Sequence, residues 1–396
     1  MQGLRHLLPK KDMQEFFDIK ETAKVAIIHN IIAPYKSLLF NELGTICPDL
    51  RVLYMAETES DRDWAIRKDF LDFPYDILFK GSLDDVSQVR VALRTWRWLN
   101  EFGPDVVIIG GYNYFACWAG FFWAKVNRKK VILWFDSTEE AKPRIVLKEM
   151  IKSLLLKRCD GANAYSQKGK AYLMKLGMEE GRIFVNGNAT DNPFYFDQTK
   201  RLKKDRDLLS KKFGVAPKNF LYVGRFSPEK NILFLLKVYQ KLKTQKSNWG
   251  LILVGNGPQK NRINDYINEY NIKDVYMPGF KQKEEVPEYL AVSDVLVLPS
   301  ISETWGLVVN EAMAAGLPVL VSKRCGCYPD IVKDNFNGFG FDPYDESELY
   351  NLMEGIIQGR YDLTQMGEKS LGLIAEYTPA KAASVVAETI EYVLRK

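Results

Sequence analysis

A chain of 396 residues with 46% hydrophobic and 13% aromatic content has enough apolar material for a sizeable core. At roughly 150 residues per domain, two domains are expected. Lys and Arg total 55 against 50 Asp and Glu, and the resulting +5 is too mild to argue for a nucleic-acid partner. A charged fraction of 27% excludes both disordered and membrane-embedded composition. Five scattered cysteines, Cys47, Cys117, Cys159, Cys325 and Cys327, predict reduced thiols in a cytoplasmic setting. Cys325-Gly326-Cys327 is too tight for a zinc site, and only His6 and His29 could assist, so no metal is expected.

Residues 1–22 carry mixed charge and no cleavage pattern, and read as an extension. Apolar runs then recur at 24–29, 52–55, 106–110, 131–135 and 183–185, each followed by a turn and a helical stretch. Val/Ile/Leu runs without alternation mark parallel strands buried on both faces, and their alternation with helices predicts a doubly wound sheet. The aromatic run 112–124 falls short of the ~18 residues that span a bilayer and predicts a buried helix. Nine basic residues follow (Lys142, Arg144, Lys148, Lys152, Lys157, Arg158, Lys168, Lys170 and Lys175), opposed only by Glu149 and Asp160. Interleaved with Ile151, Leu154, Leu155 and Leu156, they suit either a basic helix on anionic lipid or a core helix with a solvated side.

A polar, basic stretch over 196–218, with a helix at 205–213 inside it, separates these runs from a second set at 221–224, 251–255, 275–277, 295–298 and 318–321. The expected organisation is a first domain over 1–195, a linker over 196–218 and a second domain over 219–378. A final helix over 379–396 is expected to pack back toward the first domain. Ligands of such sheets sit at the carboxyl ends of the strands, so two facing sheets would enclose one cleft.

Three constellations in the second domain carry chemistry. A strand ends at Gly224, leaving Arg225 at its tip, and Ser227 and Pro228 suit a helix start that places Lys230 in the first turn. Two cations beside a helix start form an anion site; the same residues also suit an ordinary strand–helix corner with solvated charges. A loop carrying Glu303 feeds a helix beginning near Gly306, whose amides at Thr304, Trp305, Gly306 and Leu307 point toward the strand ends. Glu311 lies one turn on, and leans back toward the helix start. Beside a phosphate a carboxylate repels; as an acceptor for sugar hydroxyls it makes sense, and Glu303 and Glu311 equally suit plain helix-start carboxylates favoured by the dipole. Gly255-Asn256-Gly257-Pro258 is a tight turn after a strand, without the third glycine of a dinucleotide loop.

These motifs in order are Gly224-Arg225-Phe226 with Glu229-Lys230, then Val254-Gly255-Asn256-Gly257-Pro258, then 294–300, then Glu303 and Glu311 followed by 312–319. Their order and spacing over about residues 220 to 342 resemble the family-4 glycosyltransferases, or glycosyl transferases group 1. Ala33-Pro34-Tyr35-Lys36 with Leu39-Phe40-Asn41 resembles the acceptor-side loop of bacterial members, and Asn188-Ala189-Thr190-Asp191 their domain junction. The resemblance implies a GT-B fold of two Rossmann-like domains and a retaining transferase. It implies that Arg225 and Lys230 hold the donor diphosphate, that the amides at 305–307 cap it, that Glu311 takes the ribose, and that Glu303 takes the transferred sugar. On the acceptor side it points to Pro34, Tyr35, Lys36 and Asn188. Where members carry a His in the first domain, this chain offers Asp136 or Glu139.

The expected reaction moves a sugar from a UDP- or GDP-linked donor to a hydroxyl of a glycan or lipid-linked acceptor, without cofactor or metal. An anionic membrane surface is the further partner the basic segment suggests, placing the chain in the cytoplasm or on the inner membrane face. A nucleotide-sugar epimerase and a non-catalytic nucleotide-sugar-binding module are the alternatives. A nicotinamide-linked oxidoreductase would want a glycine-rich turn after the first strand, where Ile31-Ile32-Ala33-Pro34 stands.

Overall fold

The computed structural model describes residues 23–60, 68–139, 146–243 and 248–396. The extension over 1–22 lies outside them. Two compact units result: 23–136, 146–188 and 379–396 make the first, and 137–139 with 189–378 the second.

The first unit runs β1 (Val25–His29), α1 (Pro34–Ile46), β2 (Leu50–Tyr54), β3 (Tyr75–Ile77), α2 (Gln88–Phe102), β4 (Val106–Ile109), α3 (Phe115–Val126), β5 (Lys130–Phe135), α4 (Val146–Leu156), β6 (Gly161–Ala164), α5 (Gln167–Lys175) and β7 (Ile183–Val185). All seven strands pair in parallel, in the order β3-β2-β1-β4-β5-β6-β7. Ile27 pairs with Val52 on one side and Ile108 on the other, and these residues are wholly buried, as unalternated runs require.

Within the second unit come α6 (Asn192–Leu202), α7 (Arg206–Phe213), β8 (Lys218–Val223), α8 (Ile232–Lys243), β9 (Trp249–Val254), α9 (Lys260–Glu269), β10 (Val275–Gly279), α10 (Val286–Ala291), β11 (Val295–Leu298), α11 (Leu307–Ala314), β12 (Val319–Ser322), β13 (Gly338–Phe341), α12 (Glu346–Ile357) and α13 (Leu363–Ile374). Its six parallel strands are ordered β10-β9-β8-β11-β12-β13. The final helix, α14 (Pro379–Arg395), belongs to the first unit, where it packs on α1 and β6.

The stretch expected as a linker is mostly helical: α6 rests on α10 and α11, and α7 leads into β8. Asp191 caps α6 by accepting from the Phe194 amide, and the Asn192 side chain donates to the Ile374 and Tyr377 carbonyls. Three strands, β3, β6 and β13, have no apolar run to announce them.

Candidate functional site

Both sheets reverse strand order once, the first between β1 and β4 and the second between β8 and β11. At such a switch point the loops leave in opposite directions and open a crevice at the carboxyl ends of the strands. The β8 loop opens with Gly224 and Arg225, and Phe226 behind them is fully buried. The Phe226 amide donates to the Asn256 carbonyl at 2.7 Å, and the Gln259 amide to the Phe226 carbonyl at 2.9 Å. This closeness explains Gly255 and Gly257. A Cβ on Gly255 would lie 1.9 Å from the Gly224 carbonyl oxygen, and one on Gly257 would lie 2.6 Å from that of Phe226. These two glycines therefore let two loops touch. The Tyr222 hydroxyl donates to the Arg225 carbonyl at 2.9 Å and sets the loop's curvature.

Lys230 is not in the first turn of an α-helix, as its sequence context suggested. Pro228–Lys230 form a single 3₁₀ turn, Asn231 takes a left-handed conformation with φ 58°, and α8 begins only at Ile232. The Asn231 amide group donates to the Pro343 carbonyl at 2.9 Å, which fixes the break. Ser227 makes no cap; its hydroxyl donates to Glu229 at 2.5 Å. Glu229 is held below the usual carboxylate range, against its burial, by the Ser227 hydrogen bond and the charges of Lys230 and Arg225. Both cations therefore stand near one carboxylate.

The β11 loop returns to the same place. The Ile301 amide donates to the Glu229 carbonyl at 2.8 Å, and the Lys230 ammonium is hydrogen-bonded directly to the Glu303 carboxylate. Glu303 is braced from behind, because its carbonyl accepts from the Gly326 amide while Cys327 donates to the Trp305 carbonyl. Trp305 is buried, with its indole donating to Asn310 at 2.8 Å. Its ring therefore belongs to the core, leaving only its backbone for a ligand. Gly306 forms the left-handed N-cap of α11, φ 104°, without a side-chain cap, and exposed Thr304 and half-buried Leu307 flank it.

Glu311, one turn along α11, faces Tyr195 of α6 and the charge of Lys283. Burial pushes its carboxyl up to about 7, while Tyr195 and Lys283 pull the other way. Lys283 is itself paired with Asp191 at 2.8 Å. Nothing in the local sequence announces Tyr195 or Lys283; helix packing brings them there.

In the first unit, Pro34 opens α1 and Lys36 is only 3% exposed. Its ammonium sits 4.0 Å from the Trp134 ring centroid and 4.4 Å from that of Tyr165, with no hydrogen-bond acceptor. Burial pulls it down to about 7, against the charge of Asp136 at the end of β5. His29 is lowered further, to about 3, by burial and by Lys36, so it is neutral. Tyr35 lies 5.9 Å from the same ammonium. Pro34, Tyr35, Lys36 and Asp136 thus share one region. Asn188 follows β7, the edge strand, two strands away from β5.

A cluster that the motifs missed lies at the first switch point: Asn30, Glu59 and Tyr114 are hydrogen-bonded together. Among the described residues no group of three or more His, Cys, Asp or Glu could hold a metal ion, and the five cysteines are buried.

Residues 205–371 match the family model described as glycosyl transferases group 1. Over 166 residues the chain is 31% identical to the lipopolysaccharide 1,2-N-acetylglucosaminetransferase of Salmonella typhimurium, covering 39% of this chain and 42% of that protein. Over 200 residues it is 28% identical to the N-acetyl-alpha-D-glucosaminyl L-malate synthase of Bacillus anthracis, covering 50% and 52%. The chain thus spans about half the length of these curated relatives. Among solved structures, Anabaena Alr3699/HepE in complex with UDP and glucose superposes with a TM-score of 0.73 at 17% identity, over 93% of this chain and 99% of that one. WaaG, a glycosyltransferase involved in lipopolysaccharide biosynthesis, gives 0.67 at 16% identity, over 91% and 99%. The fold is the GT-B type expected from the sequence, two doubly wound parallel-sheet domains.

Proposed function

We propose that this chain is a retaining, metal-independent glycosyltransferase that moves a sugar from a nucleoside-diphospho donor to a hydroxyl of a glycan or lipid-linked acceptor. One observation carries the reading: Arg225, Lys230 and the uncapped start of α11 all stand at the carboxyl ends of β8 and β11, on the switch point of the second sheet. Negative charge develops on the diphosphate as the bond to the anomeric carbon breaks, and these groups stabilise it where it appears. Glu303 accepts from hydroxyls of the transferred sugar and Glu311 from the ribose. The acceptor oxygen attacks from the face the diphosphate leaves, and a leaving-group oxygen takes its proton, so configuration is retained. Arg225 and Lys230 meet the charge of the leaving group, and the reading calls for no metal. The UDP bound in the HepE structure makes UDP-sugars the first donors to test, with GDP-sugars next.

An anionic membrane is the proposed further surface. Of the nine basic residues in that segment, Lys142 and Arg144 lie outside the described residues, while Lys152 pairs with Glu149 and Lys170 with Glu180. Leu154 does not join the buried Leu155 and Leu156; it is exposed, as is Met150.

Calorimetric titration with UDP, GDP and ADP, followed by mass detection of transfer, tests the reading. Binding of one nucleotide and transfer without epimerisation of the donor are expected. Arg225→Ala should melt as the parent does and lose about 10²–10³ in turnover, as removal of one charge-stabilising donor does. Near-normal transfer by that variant refutes the assignment.

A further inference from the structure

We infer that the second unit binds a phosphorylated sugar in a cavity at the amino ends of β11 and β12, a site separate from the donor crevice and beyond the transfer proposed above. The cavity measures about 380 Å³, within the ~300–1,000 Å³ that small-molecule sites occupy. Asp294 stands just before β11 and Pro318 just before β12, so the cavity lies at the end of the sheet opposite to Arg225 and Glu303. The four residues of β11 alone put about 13 Å between the two places. One wall comes from α6 and the turn after it, with Phe196, Lys200 and Lys203; the other comes from α13, with Thr364 and Glu368. Both walls are fastened to the end of α11. The Lys203 ammonium donates to the Ala315 carbonyl at 2.9 Å, and a Cβ on Gly367 of α13 would lie 2.3 Å from the Gly316 carbonyl oxygen. The cavity is therefore shaped before any ligand arrives.

The charges around it select the ligand. Arg206 is committed within the protein, donating to Asp294 at 2.7 Å and to the Pro217 and Val292 carbonyls at 3.1 and 3.2 Å. Asp294 also accepts from the Asn219 amide at 2.8 Å, so this pair cancels. Lys203 has one acceptor, the Ala315 carbonyl, and Lys200 meets only the Phe196 ring, 5.3 Å away. Among the described residues no carboxylate stands within ion-pair distance of either ammonium. Desolvation and the charge of Arg206 hold Lys203 below the ordinary lysine range, against Asp294, and an anion would reverse that. Two ammonium groups with protons to give suit a phosphate ester, whose charge and three outer oxygens exceed those of one carboxylate. Across the cavity Thr364 and Glu368 lie one turn apart on α13. The Glu368 carboxylate repels phosphate and accepts from hydroxyls. Phe196 and Leu371 add apolar surface for the face of a ring. Phosphate on one wall and hydroxyls on the other define a sugar phosphate.

Calorimetric titration of the full chain with glucose 1-phosphate, glucose 6-phosphate and mannose 6-phosphate, beside inorganic phosphate and glucose alone, decides the matter. At least one ester should bind, and bind about tenfold more tightly than phosphate or glucose. Lys200→Met and Lys203→Met should each weaken it about tenfold, as loss of a hydrogen bond to a charged group predicts. Glu368→Gln should weaken the ester but not inorganic phosphate. Arg225→Ala should bind the ester as the parent does, because the donor crevice takes no part. Melting curves supply the fold control, and Lys200, which touches only a ring, keeps the test sound should Lys203→Met unfold. Failure of all three esters to bind the parent overturns the inference. So does equal binding by the parent and Lys200→Met, phosphate matching every ester, or loss of the ester in Arg225→Ala.

Discussion

Lys36 places an ammonium between two ring faces with no oxygen to receive its protons. Ring faces attract a cation, by about 2 kcal/mol when desolvated, but they do not replace lost hydration. The folded pKa therefore lies near 7, below the unfolded value of 10.5. The unfolded chain then binds the extra proton across that window, so this residue makes stability rise with pH from about 7 to 10.5, and its full penalty acts below 7. Lys36→Met should raise stability at pH 6 by on the order of 1–4 kcal/mol, the range for replacing buried charge by apolar volume. It should also flatten the rise above pH 7. Urea unfolding at pH 6 and pH 9.5 measures both, and a variant less stable at pH 6 contradicts the argument. Glu311 has the opposite sign: its raised carboxyl contributes stability below about 4.5 that is lost as pH climbs through about 7.

At the scale of elements, the site depends on loops that touch, and Gly257 is one test of that contact. A Cβ there meets backbone on Phe226, both the amide nitrogen at 2.7 Å and the carbonyl oxygen at 2.6 Å, so nothing flexible can yield. Gly257→Ala should cost about 1–3 kcal/mol as overpacking does, and weaken UDP binding by moving Arg225. Gly372→Ala in α13, where nothing lies within 4 Å, should be neutral or mildly stabilising. Urea midpoints and UDP calorimetry separate the two. The same local logic explains what the sequence could and could not reveal. Strands such as β1, β8 and β11 are buried on both faces, and their apolar runs announce them. β6 reads Gly-Ala-Asn-Ala because α14 lies on it: a Cβ on Gly161 would be 3.0 Å from Val393 and 3.1 Å from Thr389, and Asn163 donates to the Thr389 hydroxyl. Small residues are needed there by a helix more than 200 positions away, which no local pattern records. β13, Gly-Phe-Gly-Phe, is likewise crowded: Gly338 lies against the Val319 carbonyl and Gly340 against Tyr328. Arg225, Lys230 and Glu303, the residues proposed for the donor, could be picked out because they fall in short motifs after strong strands. Asn30, Glu59 and Tyr114 could not, since only strand pairing makes neighbours of them.

Over the whole molecule, exposed apolar side chains gather on helices of the first unit. Val89 and Leu93 on α2, Phe115, Phe122 and Val126 on α3, and Met150 and Leu154 on α4 all face solvent, with Leu93 at 67% and Val126 at 71%. No helix among the described residues is long and apolar enough to cross a bilayer. Apolar side chains beside basic segments suit contact with a charged bilayer surface, held partly by attraction that salt screens. The chain should co-sediment with phosphatidylglycerol-containing vesicles at low salt and less at about 0.5 M, where the Debye length shrinks to a few ångströms. A Leu93→Glu, Val126→Glu variant should bind less at either salt, and indifference to lipid charge in the parent removes the peripheral reading. The return of α14 to the first unit has one more consequence, which concerns synthesis. The ribosome delivers β1 to β7 early but withholds the helix that covers α1 and β6 until every residue of the second unit has emerged. The half begun first is therefore the half finished last, and its bare flank is in a chaperone's reach for most of translation.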